Sequence, residues 1–267
     1  MRVGVFGAGG RMGSTVCRAV ADDPDLELVA AVDPRLAGID IYQVTGVEGS
    51  DVQVEGDAEA LVRAETQVAV DFTEVGAARE NLHWCAAKGV HAVVGTTGFT
   101  ADDMAELDRL FSGSSNCVLS ANFAIGAALM IRFAELAAPY VETAEIVELH
   151  HDAKLDAPSG TSLRIAEGMS KSRDASGAGG WGEDPTRTEV VKGSRGATGP
   201  GGIRMHSVRL RGLVAHHAVI LGTAGQTLTI RHDSYDRTSF MPGVLLAVKS
   251  VAERPGLTLG LDSLLGL

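Results

Sequence analysis

The sequence predicts an α/β protein in two parts: a doubly wound parallel sheet, followed by a smaller α+β domain with a mixed or antiparallel sheet. The chain opens with a β-rich run, a glycine turn and a helical pattern. Strand-like and helix-like runs then alternate as far as residue 122. From Ala124 a long helical run gives way to several β-rich runs in succession. Alternation of the first kind builds parallel sheets, because each strand needs a crossover helix to return the chain in the same direction. The expected boundaries are 1–122 for the parallel-sheet domain and 123–235 for the second domain, with 236–267 returning to the first.

Arg2–Phe6 is the first strand, followed at once by Gly7-Ala8-Gly9-Gly10-Arg11-Met12-Gly13 and a helical pattern to about Ala21. A literal G-x-G-x-x-G fails at Met12; the frame that fits is G-x-x-G-x-x-G on Gly7, Gly10 and Gly13. Glycine is needed where the turn is tight, where backbone meets a pyrophosphate, and where the helix packs on the strand. The next strand, Glu27–Val32, ends at Asp33, twenty residues beyond Gly13, where a carboxylate can accept bonds from an adenosine ribose. A dinucleotide site follows from this context. Asp33 favours NADH, since it repels a ribose 2′-phosphate, and Arg35 could pair with that phosphate and soften the preference.

A Gly-rich connection leads to a short Val52–Val54 segment, a helical Asp57–Ala64 and a strand Gln67–Phe72. A helix over Ala77–Lys88 closes on Gly89, and His91–Val94 reads as the next strand. After Gly95-Thr96-Thr97-Gly98, Thr100 and Asp103 form a capping pair for a helix to about Phe111, and Val118–Ser120 is another strand. Ligands of doubly wound sheets sit beyond the carboxyl ends of the strands. Gly7, Asp33, Gly95–Thr97 and Ser120–Phe123 all fall there. Each loop alone is a weak signal, and their coincidence is a good one.

The second domain begins with a helix over about Ile125–Tyr140 and a strand from Thr143 to Leu149. Glu148 to Ser162 then places His150, His151 and Lys154 just before Pro158-Ser159-Gly160-Thr161 and an apparent helix, Leu163–Met169. Ser159 or Thr161 can cap that helix, and Gly160 permits close backbone approach, so its first amides offer a site for a carboxylate or phosphate. A capped helix after a polar turn is the plain alternative; the histidines and lysine upstream tip the reading towards a site. Met205–Leu210, Ala218–Leu221 and Thr227–Arg231 are spaced like an antiparallel meander. Ser176–Gly182 and Gly193–Gly202 read as mobile loops over a site, and Arg237–Glu253 as an amphipathic helix.

Metal is not expected. His150 and His151, as strand neighbours, point to opposite faces, and no other cluster has ligand spacing. His206, His216, His217 and His232 lie in β-rich runs and read as hydrogen-bonded structural residues. A formal charge of −11 without clustered Lys and Arg excludes nucleic acid as a partner. Cys17, Cys85 and Cys117 are far apart and form no C-x-x-C, which suits buried thiols in a reducing compartment. The longest apolar run, Phe123–Val141, contains Arg132, Glu135 and Pro139, so no membrane span is expected. With a strand starting at Arg2, no signal peptide is expected either, and the reading is a cytoplasmic protein.

Joined to Gly95-Thr96-Thr97-Gly98-Phe99, Ala121-Asn122-Phe123 and Glu148-x-His150-His151-x-x-Lys154-x-Asp156-x-Pro158-Ser159-Gly160-Thr161, the glycine turn closely resembles that of the dihydrodipicolinate reductases of lysine biosynthesis. The resemblance runs to Arg231-His232-Asp233-Ser234 and Arg237-Thr238-Ser239-Phe240, and departs where the family often has a further histidine and this chain has Ala153. It implies reduction of a small dicarboxylate, 4-hydroxy-tetrahydrodipicolinate, by NADH or NADPH with loss of water. It implies His150 as acid–base or charge-stabilising residue and Lys154 as proton donor. His151, Lys154, Ser159, Gly160 and Thr161 would bind substrate. Gly7, Ala8, Gly9, Gly10, Arg11, Met12, Asp33, Gly95, Thr96, Thr97, Ser120, Ala121, Asn122 and Phe123 would contact the cofactor. A homotetramer joined through sheets of the second domain is also implied. Two alternatives stay open: a non-catalytic NAD(P)-binding sensor, and a different reductase of the same architecture.

Overall fold

In the computed structural model, which describes residues 1–266, the chain divides into two units. One is Met1–Ile125 with the segment from Arg237 onward, and the other is Gly126–Asp236. The first unit opens with β1 (Arg2–Phe6), α1 (Arg11–Asp22), β2 (Glu27–Val32), α2 (Ile41–Thr45), β3 (Val54–Glu55) and α3 (Glu59–Arg63). It continues through β4 (Val68–Asp71), α4 (Val75–Lys88), β5 (His91–Val94), α5 (Ala101–Leu110) and β6 (Cys117–Leu119). Val3, Val5, Val68, Val70, Val93 and Val94 are fully buried, as strands covered on both faces require. Caps set the helix boundaries. Glu74 accepts from the Gly76 and Ala77 amides, so α4 starts two residues before the expected Ala77. The expected Thr100–Asp103 pair is realised as a reciprocal capping box. Asp57, whose carboxylate accepts from the Glu59 amide, stands before α3 and not inside it.

The second unit holds most of α6 (Ile125–Ala137), extended by a 3-10 turn Ala138–Tyr140, then β7 (Thr143–His150) and α7 (Gly160–Ser176). β8 (Ala197–Thr198), β9 (Arg204–Arg209), β10 (Ala215–Thr223) and β11 (Gln226–Ser234) follow. Its five-stranded sheet runs β11-β10-β7-β9-β8. The meander expected from spacing holds only for β10 and β11, which pair antiparallel. β9 lies on the other side of β7 and runs parallel to it, because β7 is inserted between β9 and β10. Sequence spacing orders runs along the chain and says nothing about a third strand placed between two of them. One face of the sheet, through Ile146, Val219 and Leu221, packs against Ile165, Ala166 and Met169 of α7.

α7 is ten residues longer than its apolar pattern suggested, three at the start and seven at the end, and closes on Gly177 with φ +72°. The Ser176–Gly182 stretch is not a loose loop. Buried Arg173 donates to the carbonyls of Ala178, Gly179 and Gly180 on one side and of Ala138 and Val141 on the other. Its guanidinium also lies 4.2 Å from the Trp181 ring centroid. A planar fork with five N–H groups can serve carbonyls in several directions at once.

The returning segment is not one helix over Arg237–Glu253 but a 3-10 turn Arg237–Phe240, α8 (Met241–Ser250) and a second 3-10 turn Val251–Glu253. Pro242 sits in the first turn of α8, where its missing N–H leaves no gap in the hydrogen-bond ladder. β12 (Leu257–Leu259) and α9 (Asp262–Leu265) complete the described chain. β12 pairs parallel with β6, giving a seven-stranded sheet, all parallel, in the order β12-β6-β5-β4-β1-β2-β3. No helix among the described residues is long and apolar enough to cross a membrane.

Candidate functional site

The glycines of the first turn differ in what they do. Gly7 adopts φ +68°, and its amide donates to Val32 O at 2.7 Å. Gly10 precedes α1 as its N-cap and donates to Gly7 O at 2.9 Å. A Cβ on Gly13 would stand 2.0 Å from Gly7 O, so helix and turn can pack only without one. Gly9 sits against Asp33, whose Oδ2 accepts the Gly9 amide at 3.2 Å. Buried Ala8 lies in the turn, while Arg11 and Met12 open α1 with amides that a helix leaves without intrahelical partners. The other oxygen of Asp33 accepts the Arg35 amide at 3.1 Å, and the Arg35 side chain stays 83% exposed.

The ends of β4, β5 and β6 supply the neighbouring loops. Asp71, buried at the end of β4, accepts from the Thr73 amide (2.8 Å) and hydroxyl (2.7 Å), the Thr96 hydroxyl (3.1 Å) and the Asn81 amide nitrogen (2.7 Å). Its carboxylate thus ties the loop after β4 to the Gly95-Thr96-Thr97 loop after β5. Gly95 is required there because a Cβ would fall 1.9 Å from the Phe72 ring. Phe72 in turn meets Phe123 at a centroid distance of 5.8 Å. The Ser120-Ala121-Asn122-Phe123 loop is fixed internally: Ser120 Oγ donates to Asn122 O, and Asn122 Oδ1 accepts the Ala124 amide. The sequence-predicted cofactor residues therefore lie in turns at strand ends of the first unit, with Arg11 and Met12 in the first turn of α1. Asp71 was missed. Its only sequence signal was an acid ending an apolar strand.

In the second unit the pairing register builds a buried polar set. Glu148 and His150 on β7 face Ser207 and Arg209 on β9, and Glu148 faces His217 on β10. Glu148, His150 and His217 are 1%, 7% and 4% exposed. Arg209 grips Glu148 with both terminal nitrogens, at 2.8 and 2.9 Å, and also donates to Asp156 O. The Nδ1–H of His150 donates to the same carboxylate. Burial works to raise the Glu148 carboxyl, but donors from Arg209, Ser207 and His150 together hold it below its ordinary range. Burial pushes His150 below its ordinary range, and the pull of Glu148 does not reverse that. His150 is therefore a neutral imidazole with its proton on Nδ1 and its Nε2 lone pair free of a proton.

Ser159, and not Thr161, caps α7: its Oγ accepts the Ser162 amide at 3.2 Å. Gly160 and Thr161 then present the first amides of a 17-residue helix, and a Cβ on Gly160 would meet nothing within 4 Å, so their approach is open. His151 is exposed just beyond the end of β7. Lys154 curls back, its amide donating to His151 O at 3.2 Å and its ammonium held by both oxygens of Asp156 at 2.8 and 2.9 Å. His206 and His216 bond Glu145 and Asp233, as hydrogen-bonded structural residues do. His217 is hydrogen-bonded too, and its partner is Ser159, the cap of α7.

A family model described as the dihydrodipicolinate reductase N-terminus matches residues 1–123, and one described as the C-terminus of the same reductase matches residues 126–265. The chain belongs to the dihydrodipicolinate reductase family. Among its relatives, the 4-hydroxy-tetrahydrodipicolinate reductase of Nocardia farcinica is 47% identical, covering 100% of this chain and 99% of its own. That of Corynebacterium urealyticum is 44% identical with the same coverage. A solved dihydrodipicolinate reductase from Paenisporosarcina sp. TG-14, with dipicolinate bound, is 38% identical and aligns with a TM-score of 0.85 over 98% of both chains.

Dihydrodipicolinate reductases use NADH or NADPH, and the first unit fits such a cofactor on its own geometry. The absence of a Cβ on Gly13 lets the turn lie in close contact with α1, whose free amides suit a pyrophosphate. Asp33 stands at the end of β2, where a ribose hydroxyl would be met, and Arg35 reaches into solvent beside it.

Proposed function

We propose that this chain reduces 4-hydroxy-tetrahydrodipicolinate to tetrahydrodipicolinate, with loss of water and at the expense of NADH or NADPH, in the diaminopimelate route to lysine. The observation that carries the reading is the buried Glu148–His150 pair beside a capped, open helix start, with Lys154 on the connecting segment. When bound, the nicotinamide supplies a hydride. The amides of Gly160 and Thr161, with the Thr161 hydroxyl and exposed His151, bind the substrate carboxylates. Ser159 aims those amides. Lys154 exchanges Asp156 for the incoming anion and delivers the proton that accompanies the hydride. His150 has committed its only ring proton to Glu148, so its Nε2 accepts a hydrogen bond and Lys154 is the acid. A planar dicarboxylate suits this arrangement, as the dipicolinate in the Paenisporosarcina enzyme suits that protein.

The protein works as a homotetramer through the sheet face turned away from α7. Val208 and Ile220 lie on that face at 36% and 38% exposure, which supports a buried role for it. Cytoplasmic residence is supported by Cys17, Cys85 and Cys117, all buried and free. The deciding assay follows NADH or NADPH absorbance when the aldol product of pyruvate and aspartate semialdehyde is supplied. Cofactor oxidation is expected, and a flat trace with active product in hand would end this reading.

A further inference from the structure

In the second unit one buried side chain touches both the cap of the anion-binding helix and the ionisable ring beside it. His217 stands on β10 opposite Glu148, on the sheet face that packs against α7. Its Nε2 lies 2.9 Å from Ser159 Oγ, the atom that accepts the Ser162 amide. Its ring meets the His150 ring edge to face, at a centroid distance of 5.2 Å and an interplanar angle of 81°. We infer that His217 is a positioning residue for the proposed reduction: it fixes the Ser159 hydroxyl, and through it the direction of the Gly160 and Thr161 amides, while bracing the His150 imidazole.

An apolar residue would join β10 to α7 equally well if packing were all that the position required. A buried imidazole is costly to desolvate unless its nitrogen is bonded, and here the bond goes to the capping hydroxyl. Ser159 Oγ also lies 3.0 Å from Ser162 Oγ, so without His217 the capping hydroxyl could turn to its helical neighbour alone. Burial, with neighbouring His150 acting in the same direction, pushes the His217 imidazole down to about 4. At neutral pH it therefore bonds Ser159 without adding a charge beside His150.

This inference rests on the reaction proposed above, and two substitutions separate them. His217→Phe keeps a ring against His150 and cannot bond Ser159; His217→Gln brings an amide to the place of Nε2 and removes the ring. The Phe variant is expected to raise KM for the dicarboxylate, and Kd for pyridine-2,6-dicarboxylate by calorimetry, roughly five- to tenfold, with NADH affinity unchanged. The Gln variant is expected to keep KM within about twofold and to lose kcat, with a displaced pH profile, because His150 has lost its brace. Ser159→Ala should reproduce the Phe effect, and the double variant His217→Phe/Ser159→Ala should add little to either. Additive losses, or unchanged dicarboxylate binding in the Phe variant, would overturn the role. The Gly160 and Thr161 amide resonances decide it independently of turnover: they should move in the Phe variant and return in the Gln variant. If they do so while the wild type leaves NADH unoxidised, the reaction fails and the positioning stands. If they stay put in the Phe variant, the positioning fails whatever the wild type catalyses.

Discussion

The glycine turn of the first unit and the serine-capped helix of the second both offer backbone amides to an anion, and they are built by opposite means. The first is made by leaving atoms out: Gly13 and Gly95 are glycines because a methyl group would strike backbone or ring. The second is made by putting side chains in: Ser159 bonds His217, Glu148 holds His150 and Arg209, and the two groups meet where the His217 ring packs edge to face on His150. A site defined by absence is intolerant of added volume, and one defined by buried histidines is sensitive to protonation.

The largest expected effect tests whether the second site does chemistry as well as binding. General-acid catalysis contributes typically ~10²–10⁴-fold, so Lys154→Ala should lower kcat by about that factor. Lys154→Arg keeps the charge but holds its proton too tightly, and it should bind substrate and remain slow. Steady-state kinetics that show a raised KM with intact kcat would reduce Lys154 to an anchor.

Protonation separates the two regions next. His217, His150 and His232 in the second unit are all held below their ordinary range by burial, against His91 alone in the first. A histidine buried in its neutral form leaves stability intact above its ordinary range and withdraws it as pH falls, because the unfolded chain binds the proton first. For His217 the window runs from 6.5 to about 4, and its share of the loss is about 3 kcal/mol. Trp84 lies in the first unit and Trp181 in the second, so variants retaining one tryptophan each report the units separately. In urea melts from pH 7 to 4.5, the Trp181 transition should shift more than the Trp84 transition. An equal shift would remove the contrast.

Volume sharpens the comparison from the other side. Gly13→Ala forces a methyl group onto Gly7 O and should weaken NADH binding or the fold by about 1–3 kcal/mol. Gly160→Ala points a methyl into open space and should leave thermal stability within about 1 kcal/mol of the parent. Fluorescence titration with NADH and thermal melts measure the pair. The remaining effect lies at Arg35, exposed beside Asp33: Arg35→Ala should weaken NADPH over NADH roughly tenfold or more, since a charge-assisted bond to phosphate contributes about 1.5–3 kcal/mol. Equal weakening of both cofactors would show that the guanidinium faces elsewhere.

The same contrast explains what could be read before any coordinates. Gly7, Gly10 and Gly13 meet their constraint within seven residues, so strand, turn and helix were legible together. The Ser159 cap and the Thr100–Asp103 box are local as well. Asp71 receives donors from Thr73, Asn81 and Thr96, and only the first is a sequence neighbour. Arg209 and His217 reach Glu148 and Ser159 because β9 and β10 flank β7, an order that spacing misread as a meander. His217 therefore looked like one more histidine in a strand.

β12 also sets an order of events during synthesis. The parallel sheet of the first unit ends at β6 until Leu257–Leu259 pair with Cys117–Leu119. A chain emerging residue by residue from the ribosome exposes that edge through the making of all of Gly126–Asp236. The inserted unit has every one of its strands before its host has the last. Until then β6 is an apolar edge open to pairing with another chain.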